Sequence, residues 1–390
     1  MYFDGNSHVN WNTLNVNGDE SLNFNATNGA SGLTIVNTVN SGMTNVYGAI
    51  SSNSGIAKLI ISNPNGMLFD GAKFTTAGDL MLTTQALAVN YLNGSLDIKG
   101  LDQAATAGIV IKDGANFKSN FKIGGEFNIV APTIEILGGY IGATKGLNLI
   151  TKDGHSFLIC PNTSNNIDHK AVRLQTVEVD GNVYILSGEG VVTLVEGGKI
   201  NGDLAIESKG NVGLNYTSNG KVLEVTGNLT SKADGKANVV RDAEVGGNLD
   251  LSNSGGYVEV GNTRIGGNAN LITTSGSNDN YRHYVHVIGE TDVAGNMYID
   301  SRDNIHIGSY NSDLQTLASG HLNVGGDLNA ISHNGSVAVT IDTTANKVAL
   351  TSITGYPAKI PFVKASCNPS FTGLMYSLGT TPPTIASTNS

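Results

Sequence analysis

The chain has 390 residues, a formal net charge of −10, and 39% hydrophobic against 14% charged residues. That charge excludes a nucleic-acid binder, which neutralises phosphates with clustered Lys and Arg, and no apolar run reaches the ~18 residues of a membrane-spanning helix. The 50 glycines against 8 prolines show no third-residue period, which excludes collagen. Abundant Asn, Gly, Ser and Thr disfavour helices and suit turns. Met1 to Gly5 does not read as a signal peptide, so an exported form implies a leader already removed.

The first 90 residues read as short strands. Val9, Trp11, Leu14 and Val16 lead to a turn at Gly18-Asp19, and Leu22 and Phe24 follow. Ile35 to Val39 and Val46 to Ile50 are two more apolar segments, and Ala57 to Ser62 runs into Asn63-Pro64-Asn65-Gly66 before Met67-Leu68-Phe69. This tetrapeptide is a type I turn: Asn caps it at the first position, Pro presets φ at the second, and Gly closes it at the fourth.

From the middle of the chain one block recurs, as in Val245 to Leu251, Ile265 to Leu271 and Val293 to Ile299. Its glycines Gly181, Gly202, Gly227, Gly247, Gly267, Gly295 and Gly326 are 21, 25, 20, 20, 28 and 31 residues apart. An outlying copy runs from Ile123 to Ile129. Relative to each Gly, positions −2, +2 and +4 are aliphatic, a period of two that puts them on one face of a strand. A ~20-residue period with two or three strands per unit predicts one rung of a parallel β-helix, whose apolar face is buried only by stacking. At 20 residues per rung the chain would hold about 19 rungs spaced ~4.8 Å apart. The residues at +1, Asn182, Asp203, Asn228, Asn248, Asn268, Asn296 and Asp327, are expected to form a corner column. The preceding Gly is expected to supply a bend or positive φ.

Cys160 and Cys367 are too few and too distant for a disulfide framework or metal site and are expected to be unpaired. His283, His286, His306, His321 and His333 fall on alternating strands and read as surface histidines rather than metal ligands. Carboxylates do not stack: Asp250 has Thr230 and Asn270 as rung neighbours, and Lys232, Ser252 and Ile272 separate Glu207 from Asp300. A glycoside-cleaving acid pair is therefore not expected, and no cofactor or metal site is either. Six Asn-x-Ser/Thr sequons, at Asn25, Asn93, Asn162, Asn215, Asn228 and Asn334, match what chance gives in such a composition.

The ordered string Asn10-Trp11, Asn37-Thr38-Val39, Tyr47-Gly48-Ala49-Ile50-Ser51 and Asn63 to Phe69 resembles the secretion domain of filamentous haemagglutinin-like two-partner-secretion exoproteins, closest to the high-molecular-weight adhesin type. The match covers residues 8 to about 85, and Thr38 stands where the family has Arg. The family also begins some tens of residues earlier. The resemblance implies a secretion domain over 1–130, continuing β-helix over 131–354 and an irregular end over 355–390. It implies export from a Gram-negative bacterium through an outer-membrane transporter whose periplasmic domains recognise the chain. It also implies a secreted, surface-associated adhesin for a host or bacterial receptor or polysaccharide, with Asn63, Pro64, Asn65 and Gly66 as the secretion motif and Trp11, Asn37 and Val39 as a secondary one.

The expectation is thus an all-β, right-handed parallel β-helix, its hand set by the crossover rule and the resemblance. The expected function is a secreted, non-enzymatic adhesin. Alternatives are a biofilm or filament rod self-associating through its ends and, less favoured, a polysaccharide-active enzyme.

Overall fold

A computed structural model describes residues 1–27, 29–92, 95–100, 106–151, 171–188, 191–216, 220–274, 283–308, 319–353, 363–365 and 370–372. Cys160, Cys367, the sequons at Asn93 and Asn162, and the prolines from Pro357 onward lie outside these residues. The described residues contain strands, turns and bends and no helix. Two units divide the chain, Met1–Leu204 and Ala205–Ser390, and each is a parallel β-solenoid.

In the first unit one face stacks Ser7–Trp11, Leu33–Val39, Ile56–Ser62, Asp79–Thr83, Phe127–Val130, Leu147–Thr151 and Val183–Ser187, every neighbour parallel. A second face stacks Ser21–Ala26, Ala49–Ser52, Lys73–Thr76, Asn120–Ile123 and Tyr140–Ala143. A third stacks Asn15–Val16, Thr44–Val46, Met67–Asp70, Ile109–Lys112 and Ile134–Leu137. The last two faces merge at the ten-residue strand Ala171–Asp180, which pairs with both Ile134–Leu137 and Tyr140–Ala143. An antiparallel hairpin, Leu87–Leu92 with Ser95–Gly100, stands apart from the solenoid sheets. Inside, Phe69, Phe74, Phe121 and Phe127 are buried, with successive ring centroids 6.4, 5.7 and 5.5 Å apart.

In the second unit Leu229–Ala233, Leu249–Asn253, Ala269–Thr273, Met297–Ser301, Leu328–Ser332 and Val348–Ser352 form one face. The other runs from Ala237–Val245 through Tyr257–Ile265 to Val285–Val293. It then divides into Ile305–Ile307 with Val337–Val339 and Gly320–Val324 with Asp342–Ala345. Short strands Val363–Ala365 and Ser370–Thr372 add parallel to Asp342–Ala345 and Val348–Ser352.

The aliphatic positions +2 and +4 of the block point inward, as the period of two requires: Leu249, Leu251, Leu271, Met297 and Ile299 are all buried. The register also follows the sequence spacing. Thr230 pairs with Asp250 and Asp250 with Asn270, while Lys232, Ser252, Ile272 and Asp300 stack in turn.

Rung length is where arithmetic alone overshoots. Leu229, Leu249 and Ala269 are 20 residues apart, but Leu80 pairs with Phe127, 47 residues on, and Leu147 with Val183, 36 on. Such longer steps are tolerated because loop-closure cost grows only slowly with length. Dividing 390 by 20 therefore overstates the number of rungs.

Candidate functional site

The residues singled out in the first unit lie where the first rungs close. Asn37 sits on the inward column of its strand, between Val9 of one neighbour and Ile61 of the next, and is fully buried. An amide here survives only if hydrogen-bonded. Its Oδ1 accepts the Trp11 indole Nε1–H at 3.0 Å and its Nδ2 donates to the Ile60 carbonyl at 3.2 Å. Val39, two residues on, is buried and pairs with Trp11. Thr38 faces the other way, in contact with His8 Nε2 at 2.9 Å and donating to Asn10 Oδ1 at 2.6 Å. Burial lowers the His8 pKa below its ordinary value.

The strand that Asn37 grips ends at the second motif. Asn63 is 0% exposed. Its N–H donates to the Thr83 carbonyl at 2.9 Å, and its Nδ2 donates to the Gly42 carbonyl and Thr44 Oγ1, both at 2.9 Å. Its Oδ1 accepts the Asn65 N–H at 2.9 Å and its carbonyl accepts the Gly66 N–H at 3.0 Å. That last bond closes the turn, and Asn65 is not at positive φ, which a type II turn would demand. Gly66 has φ +98° and its carbonyl accepts the Thr44 N–H at 3.0 Å.

The tetrapeptide therefore splits by exposure. Asn63 and Gly66 are buried, whereas Pro64 and Asn65 face solvent. The motif that looked like one site is a structural pair beneath an exposed pair. Gly48, in the intervening motif, approaches another rung closely: a Cβ there would lie 2.1 Å from the Asn17 carbonyl oxygen and 2.3 Å from that of Glu20.

The corner column forms in each unit. In the first, Asn182 Oδ1 accepts the Asp203 N–H at 2.9 Å. The outlying block joins the same scheme, with Asp79 Oδ1 accepting the Glu126 N–H at 2.9 Å. In the second, Asn228, Asn248, Asn268 and Asn296 accept through Oδ1 from the N–H of Asn248, Asn268, Asn296 and Asp327 at 2.8–2.9 Å.

Why Gly precedes each corner residue differs from the expectation. Of the block glycines only Gly181 has positive φ, at 133°. Gly202, Gly247, Gly267, Gly295 and Gly326 are small because the preceding rung's amide occupies the space: a Cβ on Gly267 would meet Asn248 Oδ1 at 2.3 Å, and one on Gly326 would meet Asn296 Oδ1 at 2.2 Å. Close approach, not backbone handedness, selects Gly here.

A second ladder went unread in the sequence. Asp242 and Asn262 are at positive φ, 46° and 48°, and Asn262 Nδ2 donates to Asp242 Oδ1 at 3.0 Å. Its only signal is Asp or Asn, residues that tolerate left-handed backbone, at equal offsets after paired aliphatics.

Histidine placement corrects the surface reading. His283 and His286 are 7% and 6% exposed. His286 Nδ1 lies 3.3 Å from Glu259 Oε2, and Arg241 Nε donates to Glu259 Oε1 at 2.5 Å. Burial pushes the Glu259 carboxyl up, but the His286 contact and the Arg241 charge outweigh it and hold it below the usual carboxylate value. Aligning Tyr257-Val258-Glu259-Val260 with Tyr284-Val285-His286-Val287 would have placed Glu259 on His286. His321 and His333 are half-exposed and contact Asp292 and Asp300 at 3.3 and 2.8 Å. Of the sequons, Asn215 is buried with Nδ2 donating to the carbonyls of Lys221 and Asp242.

Two buried amides, Asn37 and Asn63, carried by an ordered set of N-terminal motifs in a parallel solenoid, are what comparison with known proteins bears on. No curated protein matches the sequence. The family model for the TPS secretion domain, the secreted partner of two-partner secretion, matches residues 3–260, well over half of the chain. The chain belongs to the TPS secretion domain family.

Proposed function

We propose that this exoprotein is an adhesin, closest to the high-molecular-weight type, whose residues 1–130 carry the secretion signal. The periplasmic domains of its outer-membrane transporter would engage extended segments by strand addition. Rung closure outside the cell would then hold the emerging chain. One observation supports this order of events: Asn63 is wholly buried and its amide is committed on both atoms. Whatever reads that side chain meets it before the rung closes, and folding then withdraws it. Asn37 is hidden in the same manner.

Co-expression with the cognate transporter tests the reading. Asn63→Ala lowers secretion strongly, while Asn65→Ala, whose exposed side chain accepts nothing in the fold, leaves it near wild type. Unchanged secretion of Asn63→Ala removes the proposal. The adhesin part predicts saturable binding of the purified chain to host or bacterial surfaces or their polysaccharides. Concentration-dependent fibres without such binding would favour the filament reading instead.

A further inference from the structure

On one face of the second unit, Val258, Val285 and Ile305 stack inward in register, so Glu259, His286 and His306 form the adjoining outward column. Outward polar residues normally meet water, yet Glu259 and His286 are each 6% exposed. Arg241 reaches Glu259 Oε1 from the preceding strand, its guanidinium 5.3 Å from the Tyr216 ring centroid. The carboxylate thus gives one oxygen to Arg241 and the other, Oε2, to His286.

His286 faces an acceptor on each side. Nδ1 lies 3.3 Å from Glu259 Oε2, and Nε2 lies 2.6 Å from the carbonyl oxygen of Gly308. A carbonyl cannot donate, and a carboxylate paired with Arg does not either. Neutral imidazole carries one N–H and satisfies one of these acceptors, whereas imidazolium carries two and satisfies both. We infer that His286 is a two-proton clip, tying the rung of Glu259 to Gly308 at the end of Ile305–Ile307, and that loss of one proton, with the other kept on Nδ1 by the charged Glu259 carboxylate, opens the Gly308 end.

Gly308 is a sensitive place to hold. Its φ is +118°, its N–H donates to the Val287 carbonyl at 2.7 Å, and a Cβ would meet Thr340 Oγ1 at 2.0 Å. The groups facing the clip are Glu259 on the preceding strand, Arg241 on the one before it, and His306 on the following strand, whose ring is edge-on at 6.2 Å. Tyr257 and Tyr284 stack on each other at 4.9 Å, with Tyr284 edge-on to His306 at 6.3 Å, and Val337–Val339 brings no titratable group. His321, on Gly320–Val324, turns instead to Asp292. The clip is therefore complete with His286 doubly protonated and Glu259 ionised, and half-open once His286 gives up one ring proton.

Hydrogen exchange on the full chain, corrected for intrinsic rates at each pH, tests this. The amides of Ile307 and Gly308 are expected to open about fivefold more at pH 8 than at pH 5.5, the effect of one net hydrogen bond. His286→Gln should show the more open level at both pH values, and His306→Gln should keep the pH difference. Equal opening of the wild type at the two pH values overturns the inference, as does a pH difference that vanishes in His306→Gln but survives in His286→Gln. If His286→Gln does not fold, the wild-type comparison stands alone, supported by ring ¹⁵N signals. Two bound ring protons on His286 at pH 5.5 sustain the clip, and one overturns it.

Discussion

The Trp11 indole donates to Asn37 Oδ1 at 3.0 Å, and Asn37 passes the connection to the Ile60 carbonyl at 3.2 Å. Three strands of one face are thereby tied through a single buried amide. Trp11 is the only tryptophan in the chain, so its emission reports on this rung alone. Asn37→Ala leaves the indole N–H and a backbone carbonyl without their partner, at a cost of about 1–3 kcal/mol. Urea unfolding followed by Trp11 fluorescence should show the unfolding free energy falling by that amount, with a lower midpoint; an unmoved midpoint would mean water replaces the amide without loss.

Asn63 and Asn65 should separate in stability. Asn63→Ala removes two donated bonds and the cap on Asn65, and is expected to destabilise the first unit by about 2–3 kcal/mol. Asn65→Ala, on the exposed side of the turn, should stay within about 0.5 kcal/mol of wild type. Thermal unfolding of the two purified variants decides it.

Gly48→Ala places a methyl 2.1 Å from the Asn17 carbonyl oxygen and 2.3 Å from that of Glu20. Both of these atoms are backbone and leave nothing flexible to yield, so a loss of several kcal/mol, on the order of 3 or more, is expected. Soluble yield and melting temperature should both fall.

The corner column predicts a coupling rather than a single effect. Gly267→Ala clashes with Asn248 Oδ1 at 2.3 Å, an atom that Asn248→Ala removes. In a double-mutant cycle the two should be less than additive, by about 0.5–2 kcal/mol. Strict additivity would show that the Gly247 backbone, whose carbonyl oxygen would lie 2.9 Å from the new methyl, and not the amide, sets the limit.

Glu259 sets an acid limit on the second unit. Its carboxyl is held below the ordinary value in the fold. A depressed carboxylate contributes stability that is present above the unfolded value and is lost as pH falls through the folded one. The second unit should therefore weaken progressively below about pH 4.5, the ordinary range of a glutamate, and Glu259→Gln should flatten that part of the profile. A wild-type profile already flat there would contradict the depressed carboxyl.

Much of this was legible in the residues because a solenoid turns sequence spacing directly into spatial neighbours. The block Val293 to Ile299 told which side chains point inward, and the 20-residue step told that Thr230, Asp250 and Asn270 would be stacked. Asn63-Pro64-Asn65-Gly66 announced its turn because each residue suits one turn position. Sequence alone did not set how far each excursion runs before the chain returns, since the step of 47 residues from Leu80 to its partner Phe127, against 20 elsewhere, costs little more to close than a short one. Nor did it show that Asn63 is buried while Asn65 is not, or that Glu259 and His286 leave the water despite facing outward. Burial is a property of what neighbouring rungs lay over a side chain. The glycines of the repeated block were therefore assigned to corners by the sequence, but the cause at Gly202, Gly247, Gly267, Gly295 and Gly326, the amide oxygen of the preceding rung, was decided only by the stacking.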